Sequence, residues 1–154
     1  MRIVCIHIFK CGKLEPILLS NASDLSFAGM FERSTVRQFV NFNSRLVVAR
    51  TPKEDRQEIV LEKGICYSYV TSDNIGISII ADEEYPKRVA FDLIYKIMQN
   101  FNEFVFSNKI NLEKISADTD IKFKYIDKII VDWQNPKDSK FIFLYFIFKI
   151  QRII

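Results

Sequence analysis

One histidine, three cysteines, four glycines and four prolines occur in 154 residues, and each scarcity removes a class of function. With His7 alone, a Ser/His/Asp relay or a histidine metal cage would ask one imidazole to serve every role. Cys5, Cys11 and Cys66 are an odd count without CxxC spacing, which points to a reducing, cytosolic compartment instead of a disulfide framework. The glycines are unpaired, so no Gly-rich phosphate cradle can form. Met1-Arg2-Ile3-Val4 runs directly into strand-like sequence and does not read as a secretory signal. The formal charge is +3, but Lys140, Lys149 and Arg152 lie in an acid-free stretch, so residues 1–138 sum to zero. No clustered basic face is left for nucleic acid.

What the chain does have is one domain's worth of well-patterned apolar sequence, enough to bury about 68–70% of its unfolded surface. Ile3 to Phe9 is apolar at both parities, as suits a strand covered on both faces. Cys11-Gly12-Lys13 turns into a second strand, Leu14 to Ser20, with Pro16 tolerable near its start. Thr35-Val36-Arg37-Gln38 reads as a capping box opening a helix that runs to about Arg50. Three further strands are expected at Gln57 to Glu62, Ile65 to Thr71 and Ile75 to Ala81, separated by turn chemistry. Asp82-Glu83-Glu84-Tyr85-Pro86 then places acids ahead of a proline at a first helical position. Val89, Leu93, Ile97 and Phe101 carry that second helix to about Ser107, and a third is expected from Asp120 to Gln134. The order predicts an α+β fold: a five-stranded antiparallel sheet sandwiched by three helices in αβα layers.

Asp24-Leu25-Ser26, Phe31-Glu32-Arg33-Ser34-Thr35-Val36 with Gln38-Phe39, Arg56-Gln57, and Asp82 with Glu84-Tyr85-Pro86 and Arg88 carry a resemblance in order and spacing. Residues 1–138 resemble the longin domain of the prenylated longin R-SNAREs, which are synaptobrevin homologues. The resemblance implies a profilin-like longin fold and a regulatory role in vesicle transport and membrane fusion, including ER–Golgi transport. It implies SNARE-motif helices as partners, folded back within the same chain, together with cognate SNAREs and a lipid acyl or prenyl chain. Localisation would be cytoplasmic, peripheral to Golgi, ER or vesicle membranes.

Residues 139–154 depart from that pattern. Where the family continues into a heptad-patterned SNARE helix and a C-terminal lipidation signal, this chain has Phe141 to Ile154, without an a/d repeat or nearby cysteine. The segment is too short to span a bilayer, since fourteen helical residues rise only about 21 Å. Its apolar run is β-prone and an aggregation hazard if exposed. It reads as foreign to the domain, so a chain ending near Asp138 is expected to be at least as stable. The competing expectation is that the tail docks in the groove described next.

The residues that could carry chemistry are few. His7, inside a strand, reads as a core imidazole, Asp82 to Glu84 as a solvated turn, and neither as a metal ligand. The first helix is apolar over a wider arc than one buried stripe needs. Phe39, Phe42 and Leu46 lie on one lane of it, and Phe42 matches the family's groove phenylalanine. With Ile59 and Leu61 of the third strand they are expected to form a hydrophobic groove. The resemblance thus implies a binding module without cofactor or catalysis. A longin-like adaptor or tethering scaffold, and acyl transfer through Cys5, Cys11 or Cys66, are the alternatives.

Overall fold

A computed structural model describes residues 1–137 and 139–153. Five strands, β1 (Ile3–Lys10), β2 (Ile17–Ser23), β3 (Arg56–Val60), β4 (Ile65–Val70) and β5 (Ile75–Ala81), form one antiparallel sheet in the order β2-β1-β5-β4-β3. Helix α1 (Arg33–Ala49) covers one face, lying mainly over β1, β5 and β4; α2 (Lys87–Ser107) and α3 (Tyr125–Asp132) cover the other. Every side chain of β5 is buried, because its alternate residues serve different layers. Ile75, Ile77, Ile79 and Ala81 join the α2–α3 core, and Ile80 joins the α1 core. The α+β sandwich expected from the strand and helix order is the fold observed.

Several boundaries differ: β3 ends at Val60, so Leu61 follows the strand instead of lying on it, and four others have a local reason. Helix α1 begins at Arg33 with Glu32 as N-cap and no side-chain cap, so Thr35 and Gln38 form no capping box. Turns closing Leu25 on Ala28 and Gly29 on Glu32 bring the backbone in already helical. Pro86 is the N-cap of α2, not its first helical residue. Strand β2 starts at Ile17 and leaves Leu14 exposed, since Pro16 cannot donate to the ladder. The third helix starts only at Tyr125: Thr119 and Ile121 donate to Leu18 and Leu19 carbonyls along β2, and Lys122 has φ +63°. The helical spacing of Ile121 and Tyr125 is therefore fortuitous.

The tail adds a fourth helix, α4 (Ser139–Ile153), in place of a β-prone segment. Phe141 and Phe148 are buried within the α2–α3 core, and both rings meet Trp133 edge-on. Asp92 of α2 accepts from the Tyr145 hydroxyl and, at 3.0 Å, from Lys149 Nζ. The tail thus packs on the face opposite α1, away from Phe42.

Candidate functional site

Several of the family-like motif residues make structural contacts. Asp24 accepts from the Ser26 hydroxyl at 2.6 Å and the Ser26 N–H at 3.1 Å, with Arg2 at 3.4 Å; these partners hold its carboxyl below the usual range. Tyr85 is buried and its hydroxyl donates to the Trp133 carbonyl at 2.7 Å, joining the turn before α2 to the end of α3. Arg56 stacks its guanidinium 5.1 Å from the Phe91 ring.

The chemistry-bearing side chains are placed against reactivity. Burial pushes the Cys5 thiol up to about 12 and the Cys11 thiol up to about 11, and Cys66 is raised as well. None offers a thiolate nucleophile. Among the described residues no three His, Cys, Asp or Glu side chains converge as a metal site. His7 is buried, with Nε2 2.6 Å from Asn41 Oδ1 and no partner on Nδ1 among the described residues. Burial lowers its pKa from 6.5 to about 4.

That displacement gives an expected pH dependence. Above pH 6.5 His7 is neutral in both states. As pH falls from about 6.5 to 4 the unfolded chain gains a proton that the folded chain refuses, so stability drops across that window and the loss levels off below it. Its size is on the order of 3 kcal/mol. Urea unfolding at several pH values should show a shallower acid slope for His7→Gln than for the native chain.

The apolar excess of α1 lies outside its buried stripe of Val40, Val47 and Val48. Positions 39, 42 and 46 share about 60° of helical arc, while Asn41 and Arg45 project toward His7 and toward Asp118 beside β2. Edge strand β3 lies beside β4, which α1 covers. There Ile59 pairs with Cys66 across the ladder and so shares its face. Phe39 and Leu61 are each half-buried against the cluster of Val40, Val47, Cys5, Cys66 and Ile80. Leu46 is half-buried. Phe42 is 67% exposed and Ile59 39% exposed. Of the five expected groove residues, Phe39 and Leu61 thus pack on the α1 core, and Phe42 and Ile59 are left exposed.

Toward the N-terminus of α1 lies a cavity of about 890 Å³. Its walls include Val4, Phe27, Val36, Phe39 and Ile80, with Gly64 and Ala81 closing one side. Of the five expected groove residues only Phe39 lines it. Phe27, 51% exposed at its mouth, was not singled out from sequence, since it lies in a connection without periodicity. Gly64 at φ +104° was the one legible signal: a side chain there would come within 2.6 Å of the Ala81 carbonyl oxygen.

A family model, Longin, described as a regulated-SNARE-like domain, matches residues 25–130. The chain is 35% identical over 140 residues to Synaptobrevin homolog YKT6 of Saccharomyces cerevisiae, covering 90% of this chain and 69% of that protein. It is 32% identical over 139 residues to Synaptobrevin homolog ykt6 of Schizosaccharomyces pombe, covering 90% and 68%. To VAMP-like protein YKT61 of Arabidopsis thaliana it is 29% identical over 141 residues, covering 90% and 69%.

Proposed function

The chain belongs to the longin family, as the longin domain of a synaptobrevin-like R-SNARE of vesicle traffic, and from that premise we propose that it acts by reversible binding in the α1–β3 trough. The ligand is an apolar SNARE-motif helix, within the same chain or from a cognate SNARE, or a lipid acyl or prenyl chain. The single observation behind this reading is that two large apolar side chains, Phe42 of α1 and Ile59 on the α1-facing side of β3, are left exposed beyond a core that is already filled. A Phe exposed on a helix flank gains nothing for folding, whereas burying it under a ligand is worth about 1.5–3 kcal/mol.

In this reading residues 1–138 are the regulatory longin unit and residues 139–154 an apolar addition where the family has its SNARE motif. The raised cysteine pKa values favour a binding module over acyl transfer. The synaptobrevin relatives favour the SNARE role over an adaptor or tethering scaffold. No helix among the described residues is long and apolar enough to cross a membrane, which suits a protein held on the cytoplasmic side of Golgi, ER or vesicle membranes by other means.

The test is a titration of isotope-labelled protein with a synthetic SNARE-motif peptide taken from a relative. Amide shifts should concentrate at residues 39–46 and 59–61 and vanish in an Ile59→Asp variant. Shifts confined to α2 and α3 would refute the trough as the binding surface.

A further inference from the structure

The cavity at the head of the trough has an acidic rim over an apolar floor. Asp82 and Glu84 take up the Met1 ammonium at 3.3 and 3.8 Å, and Arg2 is held by Asp24. Glu32, Glu62 and Glu83 are exposed on the same rim without an ion pair among the described residues, with Lys63 as the one lysine between them. Beneath them Val4, Val36, Phe39, Val40 and Ile80 leave room for a large side chain. Thr35, at the third position of α1, is exposed and lines the opening.

We propose that this cavity is a specificity site for a cationic peptide partner: it admits a large apolar side chain from a helix whose neighbouring positions are Lys or Arg. The inference rests on the trough as a binding surface and adds the charge that the partner must carry. Unpaired carboxylates around a low-dielectric floor concentrate cations and repel anions, an effect that acts on encounter and on choice of partner and weakens as salt screens it. The same rim disfavours a fatty-acid carboxylate or an anionic headgroup at this end of the trough.

The probes are two synthetic amphipathic peptides with one identical Leu/Phe face, their polar positions filled by Lys in one and by Glu in the other. At low salt the Lys peptide should bind about tenfold tighter, and the difference should shrink toward nothing near 1 M salt. Glu62→Lys/Glu83→Lys, at two exposed positions, should reverse the preference with an unchanged melt. Thr35→Trp should weaken both peptides by filling the mouth. Equal binding of both peptides, unmoved by charge reversal but abolished by Phe42→Glu, would overturn the charge selectivity and leave the trough standing. Failure of both peptides to bind would remove the trough as well. Saturation of the cavity by laurate in preference to the Lys peptide would also overturn the proposal, in favour of an acyl ligand.

Discussion

Cutting the chain after Lys137 is expected to lower the melting temperature by about 10 °C and to raise binding of a hydrophobic dye. The loss follows from what α4 covers. Phe141 and Phe148 are buried, at 4% and 6% exposure, and Tyr145 packs beside them on Trp133. Fully buried aromatic side chains of this kind contribute about 1.5–3 kcal/mol each. The entropy of ordering a helix offsets part of that, and Asp92 would lose the Tyr145 and Lys149 donors. A net of about 3–4 kcal/mol, at roughly 2–4 °C per kcal/mol in a domain of this size, gives the stated drop. Asp92→Asn should reproduce a fraction of it, since its amide keeps an acceptor for the tyrosine but loses the ion pair. A melt unchanged by the cut would mean that α4 adds nothing to the fold, as the sequence alone led one to expect.

Phe42→Glu is expected to weaken binding of a SNARE-motif peptide by more than tenfold while moving the melt by less than about 2 °C. At 67% exposure the new carboxylate stays in water in the free protein and is desolvated only when a ligand covers it. Phe39→Glu is the contrast. Phe39 packs on the α1 core that holds Val40 and Ile80, so a charge there enters the α1 core, costs several kcal/mol and should unfold much of the population. Calorimetry on both variants, followed by peptide titration of the one that folds, separates the two positions. Collapse of the Phe42→Glu melt would make Phe42 a core residue and remove the trough.

The sheet was readable from sequence because β1, β4 and β5 are apolar at both parities and the turns between strands carry Gly64 and Ser72-Asp73-Asn74, which are local signals. Helix α2 was readable because Val89, Leu93, Ile97 and Phe101 sustain one stripe over its length, and all four are buried. What could not be read depended on distant partners. The stretch before α3 has helical spacing, yet it is held extended by carbonyls of β2 roughly a hundred residues away in sequence. The tail showed no polar face, so its pattern alone could not choose helix or strand; Trp133 and Asp92 make that choice through tertiary contact. In the site, the lane of Phe39, Phe42 and Leu46 was visible as excess apolar arc. The cavity was not, because turns and strand ends from four parts of the chain build it.

The chain's single tryptophan sits under α4, on the side of the sheet away from the trough. Its emission is thus an intrinsic reporter of one face only. Detachment of α4 would shift the spectrum as three neighbouring rings leave the indole, while a ligand entering the trough would be optically silent. A dye attached at exposed position 42 or 59 would have the opposite sensitivity. Two colours in a single cuvette could therefore time tail release and ligand capture separately, and tell whether one event waits for the other.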